Sequence, residues 1–130
     1  MNNARYLVAA LLVYVAKGDG NISGEETAEM IELMNEHFGI PSAESLSLLT
    51  NAMEDLAEDG TFEDKMREMS GAFSVAEKEE IALMMLKVVA ADGRKDAEEM
   101  AKLRQAAENI SIPPDILHRA YDRYFEETQV

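Results

Sequence analysis

Two stretches of this chain gather carboxylates around a tight turn: Asp19-Gly20-Asn21-Ile22-Ser23-Gly24-Glu25-Glu26 and Asp92-Gly93-Arg94-Lys95-Asp96-Ala97-Glu98-Glu99. In both, Asp precedes Gly and a second acid follows two helical turns later. Carboxylate oxygens are hard ligands, and an all-oxygen set suits Ca2+ or Mg2+. If the two turns pack together, Asp19, Glu26, Asp92 and Glu99 could converge on one divalent cation. The same residues also have a purely structural reading. Ser23-x-x-Glu26 is a capping box, in which the glutamate bonds back to the Ser23 N–H. Asp96-x-x-Glu99 is its acidic variant, and Ser74-x-x-Glu77 is a third box with no Asp-Gly before it. Asp19, Asp59 and Asp92 each follow an expected helix end, where a carboxylate meets the negative pole at a cost of roughly 0.3–1 kcal/mol. An Asx turn or a bound cation would each offset that repulsion, and the residues alone leave both open.

The first turn resembles the back half of an EF-hand loop. With Gly20 at the loop glycine, the first and third ligand positions fall on Val15 and Lys17, and in the second copy on Val88 and Ala90. None offers a side-chain oxygen, so a self-contained EF-hand is excluded.

Acid also runs in stripes. Glu25, Glu29, Glu32 and Glu36 share one helical face, with no Lys or Arg spaced to compensate them. Like charges at this spacing cost about 0.2–0.5 kcal/mol per pair. Glu54, Asp55, Glu58 and Asp59 form a second stripe. These eight residues are candidates for docking a basic protein partner; a plain solvated face is the alternative.

Charge and composition narrow the function classes. The net charge is −14. Residues 1–64 carry 2 basic and 13 acidic side chains, whereas residues 65–130 carry 10 and 13. Such a field repels a phosphate backbone and an anionic membrane surface. There is no cysteine, which excludes disulfides, thiolate zinc sites and a cysteine nucleophile. The two histidines, His37 and His118, are too few for a multi-histidine site. No phosphate-binding glycine loop, G-x-S-x-G or H-E-x-x-H is present. The apolar stretch Tyr6–Ala16 after Arg5 has the outline of a signal peptide, but a similar segment recurs inside the chain, which points to core instead.

The recurrence defines the architecture. Leu11–Pro41 aligns with Met84–Pro113: Val15, Asp19, Gly20, Glu25, Glu26 and Ala28 match Val88, Asp92, Gly93, Glu98, Glu99 and Ala101, and Ile40-Pro41 matches Ile112-Pro113. Periodicity and caps predict helices at about 3–18, 24–38, 43–58, 62–70, 75–91, 97–109 and 114–127, with N-caps at Ser23, Ser42, Thr61, Ser74 and Asp96 and glycine stops at Gly20, Gly60 and Gly93. No alternating stretch argues for a strand. The expected fold is all-α: one domain over 1–130, a bundle of about seven helices built from two pseudo-symmetric repeats (about 3–58 and 75–127) joined by a helix at about 62–70. Met30, Met34, Met53, Met66, Met69, Met84, Met85 and Met100 fall mostly at core spacing, and Leu117, Tyr121, Tyr124 and Phe125 make an aromatic stripe on the last helix.

An apolar helix, Asp-Gly, then Glu, given twice around an acidic helical middle, resembles the tellurite-resistance TerB-like family. The segments Val15–Glu26, Val88–Glu99 and the connecting Phe73-Ser-Val-Ala-Glu-Lys-Glu-Glu-Ile81 carry the likeness, which spans nearly the whole chain. It implies an all-helical two-repeat bundle, a cytoplasmic bacterial protein of tellurite or stress response, and no known catalysis. It also implies a cation or partner site at Asp19, Glu26, Asp92 and Glu99; Lys95 stands where the first copy has Ile22. No His-Pro-Asp J-domain signature and no membrane anchor accompanies it. The expected function is a non-enzymatic interaction module binding a divalent cation or a basic protein. The alternative is a small metal-dependent hydrolase using clustered carboxylates, which a deep pocket would favour. A homo-oligomer is a third option, which an apolar patch on the last helix would favour.

Overall fold

Two helices of the chain carry a stretch that is apolar on nearly every side, and a helix of that kind has to lie at the centre of a bundle. In the computed structural model, which describes residues 3–17, 22–58, 62–69, 71, 73–91 and 97–128, those two helices are α1 (Asn3–Ala16) and α5 (Val75–Ala90). Every residue from Leu7 to Ala16 is buried, as are Ile81–Leu86, Val88 and Val89. The stretch with a signal-like outline is therefore core. Each fully buried Leu or Val in it contributes about 1.5–3 kcal/mol relative to exposure.

Around this pair lie α2 (Gly24–Phe38), α3 (Ser42–Glu58), α4 (Phe62–Met69), α6 (Ala97–Asn109) and α7 (Pro114–Thr128). There are seven helices and no strand among the described residues. α1 packs against α2, α3, α4, α5 and α6, and α5 also carries α7. The outer helices bury one stripe each: Met30, Leu33 and Met34 on α2; Leu103, Ala106 and Ala107 on α6; Ile116 and Ala120 on α7.

Local chemistry sets the boundaries. Ser23 and Ser74 are extended N-caps with complete capping boxes. Ser42, expected as a cap, is instead the first helical residue of α3: the Pro41 carbonyl already accepts from the Ser45 N–H at 3.0 Å. The Asn35 amide spans to Ser42 Oγ (3.1 Å) and Ser45 Oγ (2.8 Å), tying the end of α2 to the start of α3. The residue before each Ile-Pro pair is left-handed, Gly39 at φ 65° and Ser111 at φ 58°. Both end a helix: the Gly39 N–H donates to the Asn35 carbonyl at 2.9 Å, and the Ile112 N–H donates to the Ala107 carbonyl at 2.8 Å. The caps expected at Thr61 and Asp96, and the stops at Gly20, Gly60 and Gly93, lie outside the described residues.

Long-range polar contacts lock the outer helices down. Arg5 pairs with Glu44 at 2.7 Å. The Tyr14 hydroxyl donates to Gln105 Oε1 at 2.9 Å, and Lys102 Nζ lies 4.7 Å from the Tyr14 ring centroid. Burial, followed by the charge of Glu63, pushes the Tyr14 phenol up to about 12. Tyr6 donates to Asp55.

Candidate functional site

The first Asp-Gly turn leads into α2, where the expected capping box forms. The Glu26 N–H donates to Ser23 Oγ at 3.0 Å, and the Ser23 N–H donates back to Glu26 Oε1 at 3.0 Å. Capping leaves the second carboxylate oxygen over. Glu26 is only 1% exposed, and its Oε2 is buried with no hydrogen-bond partner among the described residues. A buried carboxylate oxygen is costly unless a proton, a donor or a cation meets it. Glu99, the matching residue near the start of α6, is also 1% exposed. Glu77 caps α5 by the same two bonds, at 3.2 and 2.8 Å, yet is exposed. The Ser74 backbone bond holds its carboxyl below the usual glutamate range.

Asp19 and Asp92 lie outside the described residues. Among the described residues, no group of three or more His, Asp or Glu side chains is placed to hold a metal ion. All four candidate ligands offer oxygen only, the donor chemistry that Ca2+ or Mg2+ takes.

The α2 stripe meets a different environment. Glu29, Glu32 and Glu36 form one wall of an open cleft of about 390 Å³, with Lys87 on α5 and Glu127 on α7 opposite. Glu29 is half-buried, and its carboxyl is pushed above the usual range by burial first and then by Glu32, with Glu36 adding to the rise and Lys87 opposing it. None of the three glutamates makes an ion pair among the described residues. Lys87 is committed to Glu127 at 3.2 Å. A smaller hollow of about 230 Å³ continues the cleft along Glu36, His37, Glu80 and Lys87.

The remaining acidic candidates are not brought to this cleft. Glu25 is exposed and lies off its lining. Glu54 is exposed on α3, and Asp55 accepts from Tyr6 on α1. The side chain of Glu58 and the whole of Asp59 lie outside the described residues.

Three elements of the cleft region were not singled out by the sequence. Lys87 and Glu127 sit on helices that no spacing links to α2. The third is an apolar slot of about 130 Å³ beside the cleft, floored by Leu86 and Val89 and walled by Met100, Tyr121 and Phe125. The aromatic stripe on α7 was the available signal for it. Ala90 and Tyr124 line both the cleft and the slot, so the two are adjacent.

The fold and its acidic cleft set the chain beside known proteins. The family model for tellurite resistance protein TerB matches residues 5–122, nearly the whole sequence. The chain belongs to the TerB family. No curated protein and no solved structure gives a significant match. No helix among the described residues is long and apolar enough to cross a membrane. Family membership accords with the all-helical architecture.

Proposed function

We propose that this TerB-family chain is a non-enzymatic interaction module that docks a basic segment of a protein partner in the cleft along α2. One observation carries the reading: Glu29, Glu32 and Glu36 line a concave surface with no cation paired to them among the described residues, while Glu127 in the same cleft and Glu80 in the adjoining hollow have theirs. Uncompensated charge in a cleft focuses the field and attracts a partner of opposite sign. The end of α5 at Ala90 lies in the same cleft, and the negative pole of that helix adds to the attraction for lysine or arginine. A hydrolase would need carboxylates converging in an enclosed pocket, whereas these are spread along an open wall. Cytoplasmic stress response is the setting that the family suggests.

The test is binding of a labelled Lys/Ala peptide to wild type, to Glu29→Gln/Glu32→Gln/Glu36→Gln, and to a control with the same charge change at exposed sites away from the cleft, Glu68→Gln/Glu108→Gln/Asp115→Asn. The cleft triple should weaken binding roughly tenfold, at about 0.5 kcal/mol per charge pair, and the control much less. Equal weakening in both would reduce the effect to net charge and overturn the cleft.

A second reading rests on the buried Oε2 of Glu26, which has no hydrogen-bond partner among the described residues. Glu26, with Asp19 from the adjoining turn and Asp92 and Glu99 from the second copy, would hold Ca2+ or Mg2+ as a structural cation. Chelator-treated protein should then melt higher on adding millimolar cation. Glu26→Gln, which keeps the oxygen that accepts from Ser23, should abolish the rise, as should Asp19→Asn/Asp92→Asn. No rise in wild type rejects the site.

A further inference from the structure

The apolar slot beside the cleft says more about the partner than charge alone does. Five of its seven lining residues are Leu86, Val89, Met100, Tyr121 and Phe125, and its exposed surface is almost wholly carbon. Its volume of about 130 Å³ is close to that of an apolar cavity of ~150 Å³ known to accept a benzene ring. Phe125 stands at the slot 43% exposed, one of only three large apolar side chains that are exposed among the described residues. Met100 is half-buried, and its unbranched thioether adapts to whatever shape enters. The slot shares Ala90 and Tyr124 with the acidic cleft, so a chain lying along α2 has the slot within side-chain reach.

We propose that the partner segment is amphipathic: its Lys or Arg side chains face Glu29, Glu32 and Glu36, and one large apolar side chain, of Leu or Phe size, enters the slot between α5, α6 and α7. This rests on the docking reading above and adds the anchor to it. Charge selects this occupant over the others. A second copy of the chain carries the same −14 and would bring acid against acid. An anionic membrane surface meets the same repulsion from the α2 wall. A basic segment gains from both halves of the surface, with cations along the rim and a desolvated anchor beside them.

Two helix-forming peptides separate the halves: one of Lys and Ala, and one of equal charge in which a single Ala becomes Leu. Wild type should bind the Leu peptide roughly tenfold more tightly, the gain expected from burying one such side chain. Phe125→Ala, an exposed position that should leave melting little changed, should erase the preference while leaving Lys/Ala binding intact. The Met100 methyl resonance should shift with the Leu peptide and not with the Lys/Ala peptide. Equal affinities with an unmoved Met100, while Glu29→Gln/Glu32→Gln/Glu36→Gln still weakens both peptides, would overturn the anchor and leave the docking reading standing. Indifference of both peptides to that triple variant would overturn both. A wild-type dimer that Phe125→Ala dissociates would show a second copy covering the slot, and that too would overturn the proposal.

Discussion

Glutamates on two helices of this molecule look alike in sequence and fare differently in the fold. On α5, Glu79 and Glu80 have their cation: Arg123 reaches back from α7 to donate to Glu79 Oε2 at 3.0 Å and Glu80 Oε1 at 2.7 Å, and Arg119 lies 3.7 Å from Glu79. On α2, Glu29, Glu32 and Glu36 have no such partner among the described residues, and Lys87, the cation in their cleft, pairs with Glu127. The first face is acid used to fasten one helix to another. The second is acid that the described part of the fold leaves without a cation of its own, and like charges at that spacing repel one another. Where a fold already supplies cations for one cluster, a neighbouring cluster left without them is the better candidate for recognition.

The largest effect should come from breaking the compensated face. Arg123→Ala leaves Glu79, only 16% exposed, beside Glu80 without the guanidinium that holds both. The expected loss is about 1–2 kcal/mol, the upper range for a partly exposed pair with two charge-assisted bonds. It would be read as a lower urea midpoint at unchanged slope. An unchanged midpoint would mean that the α5–α7 pairs contribute nothing, and the contrast between the two faces would vanish.

The α2 wall should respond with the opposite sign. Glu29→Gln/Glu32→Gln/Glu36→Gln removes like-charge repulsion worth about 0.2–0.5 kcal/mol per pair, so the variant should be more stable than wild type by under about 1 kcal/mol. A binding surface that costs stability is the expected trade. A variant less stable than wild type would show that these acids support the fold, and the case for docking would weaken with it.

Much of this could be read before the structure, and the parts that could not share a cause. Helix limits follow local caps and periodicity, so the stretch expected at 75–91 runs from Val75 to Ala90. The placement of α1 at the centre follows from its having no polar face. The burial of Glu26 was not legible. Glu26 and Glu77 occupy the same position of the same box, and both continue into an apolar stripe, Met30-Leu33-Met34 after one and Ile81-Met84-Met85 after the other. What separates them is which neighbours cover the helix start, and that is tertiary. The cleft was half legible: the α2 stripe is a local pattern, but Lys87, Tyr124 and Glu127 reach it only through packing. The Asp-Gly turns drew the sharpest expectation, and Asp19 and Asp92 lie outside the described residues.

The smallest effect is the most diagnostic, because it sets two glutamates moving in opposite directions with pH. Glu29 holds its proton more tightly in the fold than in the unfolded chain, through burial and then the charge of Glu32. Its ionisation therefore costs stability: the penalty is absent below the ordinary glutamate pKa and grows as pH rises through the raised folded value. Glu77 is the reverse. The Ser74 backbone bond lowers its folded pKa, so its contribution is present above the ordinary value and is lost as pH falls through the lowered one. Carboxyl-carbon NMR titration should show Glu29 turning over at higher pH than Glu77. Adding the Lys/Ala peptide should move Glu29 downward, since a bound cation favours its ionised form, and leave Glu77 in place. A Glu29 midpoint unmoved at saturating peptide would put the bound cations somewhere other than the α2 wall.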